Sequence, residues 1–352
     1  MAPRRIIGPL LLAVGLGLCG PAPVVAESAY DLGRMAPAVT SERLQMRVLG
    51  RALTAGASPA VQTDALKRVL VRQGHYLDGG GVGVVYRDIS VRPVLAYDPN
   101  LNGGVWKDRI DLGWIVLWTD PAMQARAGWT LGAEVAAELR LAYGPGRFLQ
   151  VAGQIGAAHA PEQDLTTAQA RLSVCSRNHL AGWTFLDACL AQGRAKRSLG
   201  TSTSPTGRVA VSHIFGLAGG QHEVAFGINR AKRSRVVQNS ADLALESVWN
   251  RVVTRFGVTL GQDLATTASE VARIEADLRW LANGRKIGVG LWVGQTNETR
   301  FLGMRREDTA YGVSLTRDLA QGFSLKLEAT KTRSTVDFFD VTHVSVGLGR
   351  TY

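Results

Sequence analysis

Six histidines, many serines and 29 acidic residues give this chain the residue types of a serine hydrolase, but their spacing argues against one. A nucleophile, an imidazole and an orienting acid must meet within hydrogen-bonding reach. Ser212 and His213 are adjacent on an alternating segment, so their side chains leave on opposite faces. His343 and Ser345 share a face near Asp340, yet i and i+2 residues of one strand stand about 6–7 Å apart, too far for direct proton transfer. His75, His159 and His179 fall at a helix end, in a loop and in a turn. No His, Cys, Asp or Glu spacing fits a metal site, and Asp78-Gly-Gly-Gly81 reads as a linker, not a phosphate loop. Polar lining of a protein interior is the expected role of these groups, with no catalytic residue and no cofactor.

Two cysteines carry a different chemistry. Cys175 and Cys189 are an even pair flanking a turn near residues 178–181, and both fall on the face opposite the apolar residues of their segments. In an oxidising compartment such a pair fits one disulfide, against two free thiols.

The elements that must position these groups are of two kinds. Residues 41–73 read as two helices, the first with the stripe Leu44, Val48, Leu49 and Leu53, the second with Val61, Ala65, Leu66, Val69 and Leu70, Ser58 as N-cap and Pro59 after it. Beyond residue 80 no helix of ten residues is expected, and strict alternation takes over. In 269–281, Ala272, Ile274, Ala276, Leu278 and Trp280 oppose Arg273, Glu275, Asp277 and Arg279. In 128–142, Trp129, Leu131, Val135 and Leu139 oppose Glu134, Glu138 and Arg140. One face is oily and the other charged. Segments of about 10–15 residues exceed the usual length in soluble sheets and suit tilted strands crossing a bilayer.

The predicted fold class is therefore all-β, a transmembrane antiparallel β-barrel of fourteen strands preceded by a short helical pair. Segments beginning near residues 109, 128, 147, 167, 182, 207, 222, 240, 252, 268, 285, 310, 323 and 340 make the fourteen, joined alternately by tight turns and by longer loops such as 158–166, 195–206 and 233–239. Residues 81–108 are assigned to an extended segment leading into the barrel at 109; a sixteen-stranded barrel results if 82–97 supplies two strands. The charged face would line the lumen through Glu134, Glu138, Arg140, Arg171, Arg208, Arg255, Arg273, Glu275, Asp277, Arg279, Lys326 and Glu328.

The termini and composition fit an exported barrel. Arg4 and Arg5 precede the apolar stretch 6–18 and a small-residue site at Val24-Val25-Ala26, so residues 1–26 read as a cleaved signal peptide and 27–80 as a short periplasmic helical segment. The alternation Val344, Val346, Leu348, Tyr352 ends on an aromatic residue, as closing strands of outer-membrane barrels do. The net charge of +11 comes without a Lys/Arg–aromatic module, so it points to anionic lipopolysaccharide and outer-membrane lipid and not to nucleic acid.

Several short motifs resemble one family. Tyr97-Asp-Pro-Asn-Leu-Asn-Gly-Gly104 is similar to the Asp/Asn-rich signature that opens the barrel of the surface lipoprotein assembly modifiers. Ile110-Asp-Leu-Gly-Trp114 with Ala127-Gly-Trp-Thr-Leu-Gly-Ala133 resembles that family's first hairpin, and Phe301-Leu-Gly-Met-Arg-Arg-Glu-Asp308 and Ser334-Thr-Val-Asp-Phe-Phe-Asp-Val-Thr-His343 resemble its last two loops. The resemblance covers residues 90–352. It implies a fourteen-stranded outer-membrane barrel, inserted by the barrel assembly machinery, that moves a lipoprotein or secreted protein client to the cell surface. Family members usually carry tetratricopeptide repeats before the barrel, where this chain has one helical pair. The alternative class is a passive, porin-like or structural barrel.

Overall fold

The computed structural model describes residues 29–55, 60–76, 81–111, 115–233, 236–264 and 267–350. The proposed signal peptide, Ser58, Pro59 and the terminal Tyr352 lie outside the described residues.

Fourteen strands close into one antiparallel barrel. In chain order they are β1 Gly83–Asp98, β2 Gly128–Gly144, β3 Arg147–Ala160, β4 Leu165–Ala181, β5 Thr184–Arg197, β6 Gly200–Leu217, β7 Gly220–Arg233, β8 Val236–Val248, β9 Val253–Gly261, β10 Glu270–Ala282, β11 Arg285–Thr296, β12 Asp308–Asp318, β13 Phe323–Ser334 and β14 Val341–Arg350. Each pairs with its neighbours in sequence, and β14 closes on β1 from Val94↔Gly349 to Tyr97↔Val346.

The strand number agrees with the sequence, but the first strand does not. Residues 109–118 are outside the barrel wall: Arg109–Asp111 and Val116–Trp118 form a separate small hairpin in the 99–127 connection. Residues 83–98, assigned above to a lead-in, supply β1 as a single strand and pair with β2 along their whole length. The segment alternates from 87 to 97 but would make a fifteenth strand once 109–118 is counted, and an even number is expected; it also contains Pro93, which cannot donate to a ladder. The barrel accommodates Pro93 beside the seam, one residue outside the β1–β14 pairing. The closing strand accordingly meets 83–98 and not 109–118.

Tight turns gather at one end. Asn283-Gly284, with φ +52° and +74°, forms the two-residue connection whose positive φ values match the twist of the flanking strands. At the opposite end three expected loops shrink. Strand pairing runs on through Gln192↔Pro205, leaving only 161–164 between β3 and β4 and 198–199 between β5 and β6; β8 likewise begins at Val236, three residues after β7 ends. Residues 200–206 are Ser/Thr-rich with Pro205, so they lack the oily face that marks the rest of the strand. The long connections at this end are 99–127, 262–269, 297–307 and 335–340.

The outward face is apolar around the wall. Ile89, Leu131, Ile155, Leu190, Phe226, Leu243, Leu291, Val313 and Val344 are all exposed, Ile89 and Leu190 at 71 %. A water-soluble protein does not carry so continuous an apolar belt, whereas a lipid-facing barrel requires it. The chain is thus an outer-membrane-type β-barrel. No helix among the described residues is long and apolar enough to cross a membrane.

The helices do not stand free beside the barrel. α1 Ala29–Arg34, a helix absent from the sequence-based expectation, α2 Glu42–Thr54 and α3 Ala60–Arg72 sit in its short-turn mouth. Leu32, Leu44, Val48 and Val69 share one buried cluster with Phe185, Ile214, Val248 and Val253 of the wall. Ser41 caps α2 by accepting from the Leu44 amide.

Candidate functional site: the plugged lumen

Residues 40–43 carry most of the polar attachment between plug and wall. The Glu246 carboxylate on β8 accepts the Thr40 amide at 3.0 Å, the Thr40 hydroxyl at 2.6 Å and the Ser41 amide at 3.1 Å, and Arg279 on β10 donates to the same group at 2.9 Å. Glu42 pairs with Arg140 of β2, and the Gln73 amide donates to it. Arg43 forks onto both oxygens of Asp187 on β5 while stacking 4.4 Å above Phe185. The side chains of Thr40, Glu42 and Arg43 and the backbone amides of Thr40 and Ser41 therefore tie one helix start to opposite parts of the circumference. A fork-to-fork guanidinium–carboxylate contact is among the stronger polar contacts available.

The far end of the helical hairpin docks on a turn. The Gly146 amide of the β2–β3 turn donates to the Gly74 carbonyl, and His75 meets His179 edge-on at 5.7 Å. Gly146 has φ +65°, and a Cβ there would approach His75 and His179 to 2.7 Å. Glycine is required by both conformation and space.

Two plug groups that titrate below neutral pH have displaced pKa values. Burial would raise Glu42, but the Arg140 hydrogen bond and charge, with Gln73 and Arg72, outweigh it and hold the carboxyl below its usual range. Burial, then the charges of His179 and Arg43, push His75 down. The signs agree. A carboxyl lowered on docking stabilises the docked plug above its free pKa, and this is lost as pH falls through the docked value. A histidine lowered on docking must be charged at a penalty as pH drops below its free value near 6.5. Acidification is expected to loosen the plug, first through His75 and then through Glu42; protease access to the 55–60 connection should rise as pH falls below about 6.5 and rise again below about 4.3. Constant access through both steps would contradict it.

Above the plug, a cavity of about 520 Å³ is lined by Glu42, Arg43, Arg177, Asp187, Glu223 and Arg255. Glu223 is buried there with Oε2 lacking a hydrogen-bond partner. The sequence-derived lining residues are distributed around this lumen mostly in pairs. Glu134 meets Arg92 at 3.6 Å, Glu138 meets Arg140 at 2.6 Å, Arg208 meets Asp242 at 2.6 Å and Arg255 meets Glu275 at 3.3 Å. Arg273 lies 3.7 Å from Glu275 and stacks on Trp292, Arg279 lies 3.9 Å from Asp277, and Lys326 binds Glu328 at 2.8 Å. Arg171 aligns with Gln154 and Gly193 on the same inward face. Both signs alternate, so the wall is polar without a single-sign field.

The outer mouth narrows too. The Trp106 ring in the 99–127 connection stacks on His343 at 5.3 Å, and Arg197 holds Asp98 at 3.1 Å beside a cavity of about 670 Å³. Ser212 lies in the lumen, 3.4 Å from Arg43, while His213 points outward to Thr184. They cannot act together.

Arg92, Asp98 and Trp106 escape the sequence reading because their segment is not assigned to the wall. Thr40, Ser41 and Arg43 escape it because the helices are expected in the periplasm; a charged residue beside Leu44 at the start of an apolar stripe is the signal that marks Arg43.

Cys175 and Cys189 face each other across β4 and β5 and are joined, on the lumen face between Gln150 and Arg208. Peptide mapping without reductant is expected to recover a cross-linked pair. Alkylation of both cysteines in unreduced protein would contradict it.

No family model matches this chain, and no curated protein matches it. Among solved structures it is similar to OccAB2 of Acinetobacter baumannii, at 9 % identity and TM-score 0.39, over 79 % of this chain and 99 % of that one. It is similar to OpdO of Pseudomonas aeruginosa at 10 % identity and TM-score 0.41, over 75 % and 96 %. A KdgM porin matches at 12 % identity and TM-score 0.32, over 53 % and 92 %.

Proposed function

We propose that the chain is an outer-membrane channel of porin type whose periplasmic mouth is held shut by its own N-terminal helices. The carrying observation is the four-residue attachment, in which Thr40, Ser41, Glu42 and Arg43 bind Glu246, Arg140 and Asp187. Such contacts are reversible, and the wall behind them is polar enough to hold water. The tight turns face the periplasm and the long connections face outward, as in barrels of this kind. Delivery by a signal peptide and insertion by the barrel assembly machinery belong to the same proposal.

Planar-bilayer recording tests it. The whole chain should show brief, rare openings, and a chain lacking residues 29–76 should conduct steadily. Equal conductance from the two would overturn the proposal.

One observation favours the assembly-modifier reading. The two loops that resemble that family's closing motifs join into one unit: the Glu307 amide donates to the Thr335 hydroxyl, and Arg306 stacks 3.3 Å from Phe339. As a translocator the barrel would need helices free to meet a client, and here they are packed in the mouth. Loss of a surface lipoprotein from a deletion strain, read by protease shaving, would decide for translocation; an unchanged surface would decide for the channel.

A further inference from the structure

Acidic side chains are confined to one face of the wall, whereas basic ones occur on both. Following the strand registers, the described Asp and Glu residues of the barrel strands point inward, whereas outward charges are Lys and Arg. At the long-loop end, Lys331 and Arg333 of β13 are exposed on the outward face and in no ion pair among the described residues. They stand two residues apart, about 6–7 Å along the strand.

Just below them the outer wall is recessed. A groove of about 550 Å³ is lined by Leu291, Val313 and Ala329, with Ala329 as its small-residue floor and Tyr311 beside Lys331 at its upper rim. Ala276 and Ala329 flank Leu291 and Val313 in one register row, and their small side chains leave room on either side. The recess therefore grades from hydrocarbon to a phenol, an ammonium and a guanidinium over a few residues. That gradient fits an amphiphile held upright against the wall, with chain below and an anionic head above.

We propose that this groove binds one acyl chain of a phosphorylated glycolipid of the outer leaflet, with its phosphate held by Lys331 and Arg333. A phosphate monoester carries about −1.5 to −2 at neutral pH, against −1 for a phosphodiester, so two adjacent unpaired cations favour a monoester head. The assignment rests on the proposed orientation, with long connections outward, but not on whether the lumen conducts. The test uses detergent-solubilised protein, so failure of the channel proposal leaves it standing.

Native mass spectrometry of the purified chain titrated with bisphosphorylated lipid A reads it directly. Wild type should retain one lipid, and K331Q/R333Q should bind at least about a hundredfold more weakly, the loss expected when two charged hydrogen bonds are removed. Ala329→Leu, which fills the floor, should weaken binding without changing charge; if it fails to fold, K331Q/R333Q decides alone. R87Q/R317Q, altering outward cations near the short-turn end, should bind as wild type. Unchanged binding by K331Q/R333Q, equal loss in R87Q/R317Q, or equal affinity for phosphatidylglycerol would overturn the proposal. So would a dimer broken by Ala329→Leu with no lipid bound.

Discussion

Glu246→Ala is expected to release the helical plug. The substitution removes the acceptor for the Thr40 and Ser41 amides and the Thr40 hydroxyl, and it takes from Arg279 its nearest carboxylate, leaving Asp277 at 3.9 Å. The Glu246 and Arg279 side chains are only 8 % and 11 % exposed, so water cannot readily replace the lost partner. Breaking a buried ion pair from one side costs about 3–5 kcal/mol. At 1.4 kcal/mol per decade, that shifts the docked-to-free ratio by at least about a hundredfold. Steady conductance and rapid cleavage in the 55–60 connection should follow. Glu246→Gln keeps an acceptor oxygen but loses the charge, and its effect should be intermediate. A cleavage pattern identical to wild type in Glu246→Ala would remove the basis for the attachment.

Arg140→Met is expected to be nearly as damaging, for a reason that a second substitution exposes. Arg140 bridges Glu42 of the plug and Glu138 of its own strand, donates to the Arg72 carbonyl at 3.2 Å and lies over the Tyr86 and Phe148 rings. It is 7 % exposed. Its loss leaves Glu42 with only Arg72, 4.0 Å away, as a cation, and takes the ion-pair partner from Glu138, again about 3–5 kcal/mol. Changing Glu42 to Met as well removes the stranded plug carboxylate, while Glu138 keeps the Gln150 amide at 2.8 Å. The double variant should dock better than Arg140→Met alone, a non-additivity expected only of residues in contact. Onset temperatures for proteolysis of the plug in the two singles and the double measure it. Simple additivity would mean that the pair does not act as one unit.

The barrel is legible in the sequence because a wall with lipid outside and water inside imposes a period of two on every strand. Residues 269–281 and 128–142 show it plainly, and the cross-strand registers keep Glu275, Asp277, Glu134 and Glu138 on one side. The same rule fails at the strand ends. Residues 200–206 have no oily face, so a paired extension reads as a loop. β1 fails differently: residues 87–97 do alternate, but Ile110, Val116 and Trp118 imitate alternation in a hairpin that never joins the wall, and with 109–118 counted an even strand number leaves no place for 87–97. The lumen lining follows from parity alone, but its partners do not. Nothing local in the sequence says that Glu246 will meet Thr40 across 206 residues, or that Arg43 will reach Asp187. The apolar stripe of α2 says that it packs against something; only the closed barrel identifies that surface as Phe185, Ile214 and Val248.

The location of the helices is the central claim, and photo-crosslinking in intact outer membranes addresses it most directly. A photoreactive residue placed at Leu44, which is fully buried, should yield adducts within this chain, to peptides containing Phe185, Ile214 or Val248. Adducts to a separate protein, with none to the barrel, would contradict a plug and place the helices in the periplasm.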